Sequence, residues 1–186
     1  MNDFLPKDYK EPTTSNYVRL QKGDNRIRVL SKPIMGWEYW VTEDGSRKPV
    51  RTREREEIPA SMWQEEEKPK FFWAMLVWNY NDSKAQIWEV TQSTIRRTLT
   101  GLVNDKDWGN PQDYDINVQR EGDGFDTEYT VIPTPPKGFE KKGKVIPEVN
   151  LGALYDGDDP FSGTDQLAEE INELLKDSTI EGAKDE

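Results

Sequence analysis

The stretch Lys70-Phe-Phe-Trp-Ala-Met-Leu-Val-Trp-Asn-Tyr80, then Asn81-Asp-Ser-Lys84, then Ala85-Gln-Ile-Trp-Glu-Val-Thr-Gln-Ser-Thr-Ile95 decides how the chain is read. Two β-rich runs flank a short polar turn, the signature of a hairpin. The side-chain period of two puts Phe71, Trp73, Met75 and Val77 on one face and Phe72, Ala74, Leu76, Trp78 and Tyr80 on the other. Both faces are apolar, as in a strand crossing the middle of a small barrel. Trp78 and Tyr80, at the far end, are expected to emerge toward solvent. A 21.6 kDa chain needs only some of these rings to close a core, and base stacking is a ready use for the surplus.

Downstream the period turns helical. Thr91 or Ser93 can cap, and Ile95, Leu99, Leu102 and Val103 fall on one stripe. Tyr114 to Arg120 and Thr127 to Ile132 read as two more strands across a Gly122-Asp123-Gly124 turn, and Pro133, Pro135 and Pro136 stop the sheet. Lys137, Lys141, Lys142 and Lys144 then form a cationic loop, and residues 145–155 an apolar extension able to pack back on the body.

Upstream, residues 1–16 read as a flexible arm. A bent strand or tight hairpin spans Tyr17 to Val29, with an apolar face and a basic face that includes Arg26 and Arg28. Trp37-Glu38-Tyr39-Trp40-Val41 is the next strand. Arg47, Lys48, Arg51, Arg53 and Arg55 follow within nine residues. They read as a loop that tracks phosphates, since cations beside exposed rings are the signature of single-strand binding. Residues 56–69 suit a short helix or turn.

Composition narrows the chemistry. The chain has no Cys and no His, which removes disulfides, thiolate nucleophiles, Cys/His zinc sites and the usual general base. Neither Glu65-Glu66-Glu67 nor Asp156/Asp158/Asp159 makes a metal site: the first splays around a helix. The second fails the EF-hand spacing, with Phe161 and Leu167 where Gly and Glu are needed. No cofactor or metal is expected. No apolar run is long enough to span a membrane and no signal peptide is evident, so a cytoplasmic location is expected. The net charge is −11, but residues 156–186 contribute −9 of it. The body is near neutral and an acidic tail carries the excess, with Leu167, Ile171, Leu174 and Leu175 on one side of a short helix.

These elements assemble into a mainly β fold, a five-stranded OB-fold-like Greek-key barrel over residues 17–155 with one helix between strands 3 and 4. The second and third strands and their loops form the binding surface of that fold. Here they carry Trp37, Tyr39, Trp40, Arg47, Lys48, Arg51, Arg53, Arg55, Trp78 and Tyr80, with Lys141, Lys142 and Lys144 as a second cluster. The segments Tyr17 to Leu30, Phe72 to Tyr80, Trp88 to Gln92 and Tyr114-Asp115-Ile116 resemble the single-stranded-DNA-binding proteins of tailed bacteriophages. The resemblance covers about residues 4–140. It implies an OB-fold that coats single strands in replication, recombination and repair. It also implies an acidic C-terminus that recruits other replication proteins, in the cytoplasm of an infected host. Some phage members hold zinc through His and Cys, which this chain lacks. Two rivals are weighed beside this reading. A protein-interaction module would use the same rings against a protein surface. A carboxylate–metal nuclease lacks any convincing ligand spacing.

Overall fold

The computed structural model describes residues 15–162. The acidic tail beyond residue 162, with its amphipathic stripe, and all but the end of the N-terminal arm lie outside them. The long central strand β4 (Lys70–Asn79) is where the sequence places it, and it returns through β5 (Lys84–Val90). Along its other edge run β1 (Gly23–Val29) and β2 (Ile34–Glu43), both antiparallel to it: Val29 pairs Val77 and Ile34 pairs Ala74. They act as one long strand interrupted at residues 30–33. At the interruption Ser31 Oγ accepts the Leu76 N–H at 2.9 Å, standing in for a ladder partner.

The rest of the sheet grows from these strands. β3 (Ser46–Thr52) pairs β2, β6 (Asp115–Glu121) pairs β1, and β7 (Glu128–Pro133) pairs β6. The order is β3-β2-β4-β1-β6-β7, with β5 on the other side of β4, seven antiparallel strands in one sheet. The expected helix is α1 (Ser93–Asn104), between β5 and β6, and it buries Ile95 and Leu99 of the expected stripe. A short 3-10 turn, Ala60–Trp63, lies between β3 and β4.

Two sequence expectations change. Five strands become seven, because the return run is a full strand and because the basic segment is itself a strand. Pro49 argues against a strand there, yet β3 pairs only β2, and at an edge a missing N–H is tolerated. Residues 17–22 form no strand. Tyr17 makes one parallel bridge to Ile87, flanked by Val18 N–H to Ile87 O (2.9 Å) and Ile87 N–H to Asn16 O (2.8 Å).

The two faces of the sheet are covered by different parts of the chain. On the helix face, Met75, Val77, Trp88 and Val90 pack with Ile27, Val29, Ile95, Leu99 and Ile116 in the main core. On the opposite face a strap, residues 139–161, folds back; residues 145–155 do so as their apolar character predicts, and Phe139 of the cationic loop and Phe161 of the acidic tail join them. The strap includes the one-turn α2 (Ala153–Asp156). Leu154 and Phe161 close over Phe72, Ala74 and Ile87, while Phe139 and Ile146 close over Leu76, Trp78 and Ala85. Burying such side chains contributes roughly 1.5–3 kcal/mol each, so the strap is part of the body.

Candidate nucleic-acid interface

The β2–β3 ribbon turns tightly at Asp44-Gly45, both with positive φ (49° and 75°), the geometry of a two-residue hairpin loop. Its register sorts the predicted residues onto two faces. Trp37, Tyr39 and Val41 pair Thr52, Val50 and Lys48; Glu38, Trp40 and Thr42 pair Arg51, Pro49 and Arg47. Cross-strand partners share a face, so the first group continues, through Trp37–Phe71 and Met35–Trp73, onto the helix face. The second group lies on the strap face. The sequence-predicted cluster is thus divided by the sheet.

On the helix face the rings meet edge to face. Trp37 lies 5.7 Å from Trp63 and 5.4 Å from Phe71, centroid to centroid. Arg55 sits 4.6 Å over Trp63 and 5.9 Å from Trp37, and Arg96 of α1 lies 5.1 Å over Phe71. Trp37, Tyr39, Trp63, Phe71 and Trp73 are all half-buried, Lys48 is exposed, and Met35 is 44% exposed. The row ends at a cleft of about 540 Å³ between residues 31–33, Trp73 and the last turns of α1, where Lys32, Met35 and Val103 stand at the walls. The Trp73 Nε1 and Arg96 Nε donors have no hydrogen-bond partner among the described residues.

On the strap face the cations are already engaged. Arg51 donates to Glu89 through Nε (3.3 Å) and Nη2 (2.9 and 3.1 Å), and Nη2 is 2.9 Å from Glu38 Oε2. The guanidinium is only 10% exposed, so Arg51 is no free phosphate contact. Two carboxylates share one cation here. Burial, then the hydrogen bond and charge of Glu89, push the Glu38 carboxyl up to about 8 against the pull of Arg51. Arg47 lies 4.6 Å over Trp40, which is 37% exposed, and is ion-paired to Glu67. Arg53 lies 4.2 Å over the Tyr155 ring, whose hydroxyl donates to Met35 O.

The far end of β4 departs from expectation. Trp78 is buried (6% exposed) rather than emerging, because the strap covers it: Phe139 is 6.5 Å away and Lys144 Nζ 5.7 Å over the ring. The Tyr80 hydroxyl donates to Asp115 Oδ1 at 3.1 Å and belongs to a polar core. There Arg28, expected on a basic surface, is 1% exposed and donates to Asp115 Oδ1 (2.6 Å), Gln112 O (3.2 Å) and Lys137 O (3.0 Å). Arg26 donates to Asp115 Oδ2 at 2.8 Å. Burial raises the Asp115 carboxyl, but hydrogen bonds from Arg28 and Arg26 outweigh it and hold the group below the ordinary carboxylate value. Lys141 and Lys142 are exposed in the loop beyond β7. Trp78 sits seven residues along β4 from Phe71, about 23 Å at ~3.3 Å per residue, so the two ends do not form one patch.

Sequence reasoning left Met35, Trp63, Phe71, Trp73 and Arg96 out of the site. The alternation along β4 already puts Phe71 with Trp73; what it lacks is the register with β2 that sets them beside Trp37.

Half-exposed rings with arginines over them thus line one face of a mainly antiparallel β body. The chain is similar to the probable ssDNA-binding protein of Escherichia phage T5, 26% identical over 149 residues. That match covers 68% of this chain and 58% of the relative, so the chain spans little more than half the relative's length. No protein-family model matches the chain, and no solved structure matches it.

Proposed function

We propose that this protein binds single-stranded DNA with little sequence preference and is not an enzyme. The observation that carries the reading is the row of half-exposed rings on β2, β4 and the turn between β3 and β4, with Arg55 and Arg96 over them. Stacking is worth roughly 1–3 kcal/mol per base and cations supply the backbone attraction. The similarity to a protein named for ssDNA binding supports the same function, and that name describes binding rather than catalysis.

The OB-fold reading is supported by the element order. If β1 and β2 count as one interrupted strand and β3 as part of an inserted ribbon, the series is strand, strand, strand, helix, strand, strand. Protection of single strands in phage replication, recombination and repair, in the host cytoplasm, follows from this reading, as does partner recruitment by the acidic C-terminus. Among the described residues no helix is long and apolar enough to cross a membrane.

The protein-interaction alternative has one observation of its own. Phe125 is fully exposed at the β6–β7 tip beside Asp123 and Asp126. Intrinsic fluorescence of the seven tryptophans during titration with oligo(dT) separates the two. Saturable quenching that weakens with salt is the expected result; no quenching at low salt leaves the protein-interaction module.

A further inference from the structure

Resting on that reading, we infer that the DNA strand crosses the helix face of the β2–β4 ladder and lodges a base in the cleft beside α1. The strap face, which holds Trp40, Arg47, Arg51 and Arg53, is not its path. The argument is one of charge and access. From Met35 to Val41 on β2, from Lys48 to Thr52 on β3 and from Phe71 to Met75 on β4, the residues on the helix face include no carboxylate. Lys48, Arg55, Arg96 and Lys32 stand along that row with rings between them.

On the strap face the equivalent ground is acidic. Glu38 and Glu89 neutralise Arg51, Glu67 pairs Arg47, and Asp158 and Asp159 line the groove beside Trp40. A polyanion entering there meets these carboxylates, with Arg53, stacked on Tyr155, the one ribbon cation on that face without an ion pair among the described residues. The helix face offers half-exposed ring surface and, in Arg55, Arg96 and Lys32, cations that hold no ion pair within the described residues; Lys48 alone of the row is paired, to Glu43 at the ribbon tip (3.2 Å). Its cleft, bounded by Met35, Trp73 and Val103, is apolar and lies within the size range of small-molecule sites.

The test is the anisotropy of a labelled oligo(dT) with the full chain. Val103→Glu puts a carboxylate at the cleft wall on a half-exposed helical position and should weaken binding about tenfold, the size of one lost stacking contact. Thr42→Glu, exposed on the strap face, should change affinity by less than about twofold. Arg96→Gln should lower the log–log salt slope by about 0.7, one phosphate contact to a single strand. Circular dichroism checks that each variant is folded, and Arg96→Gln keeps the test open if Val103→Glu is not. A normal affinity for Val103→Glu, an unchanged slope for Arg96→Gln, or a larger loss for Thr42→Glu overturns the path. A wild-type chain that binds no oligonucleotide overturns the function itself and the path with it.

Discussion

Two arginine–carboxylate clusters sit in this sheet, and they have opposite stoichiometry. Around Asp115 one carboxylate meets Arg28 and Arg26 and also accepts from Tyr80. Around Arg51 one guanidinium meets Glu38 and Glu89. Both are largely withdrawn from water, yet the acid is held low in the first and one acid is driven up in the second. Burial acts in the same direction on both acids; the count of opposite charges decides which way each goes. The first cluster is a satisfied internal strut. The second is balanced only when it holds a proton.

The sharpest way to break the comparison is Asp115→Asn, which leaves Arg28 buried without its counter-ion. A loss of about 3–5 kcal/mol is expected in urea unfolding. Next comes Arg51→Met, which leaves Glu38 and Glu89 facing each other with no cation. About 1–3 kcal/mol should be lost at pH 8, and less at pH 5, well below the raised Glu38 value. A third difference lies in the pH profile. The folded-state value for Glu38 is raised from the ordinary 4.5 to about 8, so its contribution is full below 4.5 and is lost as pH rises through about 8. Asp115 runs the other way: its contribution is present above its ordinary 3.8 and is lost as pH falls through its lowered folded value. Thermal unfolding across pH 4–9 should therefore show a downward slope between about pH 4.5 and 8 that Glu38→Gln flattens. The smallest effect belongs to Arg26→Ala. Its side chain is 45% exposed, and about 1 kcal/mol or less should be lost.

These clusters also show where reading the sequence stops. Local pattern was enough for the β4–β5 hairpin, α1 and the β6–β7 pair, because period and turn residues are local properties, although the N-cap of α1 is Gln92 rather than the expected Thr91 or Ser93. It was not enough for Arg28, whose alternation with Ile27 and Val29 marks it as solvent-facing. The signal lies 87 residues away, in an aspartate set inside a half-buried strand between Tyr114 and Ile116. Trp78 fails for a related reason. Its strand gives it an outward direction, and only the return of the strap turns that direction inward. The candidate site was legible as a composition of rings and cations around β2 and β3. Its division into a free face and a neutralised one depends on the pairing of Glu38 with Arg51, which a sequence does not display.

The Asn16–Val18 contact with β5 has a consequence of another kind. This sheet branches at β4 and so has three outer strands, β3, β5 and β7, and an outer strand offers unpaired N–H and C=O groups to any passing strand. Here the β5 edge is blunted at Ile87 by its own chain, and the β3 edge carries Pro49 and charged neighbours. With these two borders guarded, two copies brought together at high concentration have fewer open strands through which to zip into a shared aggregate.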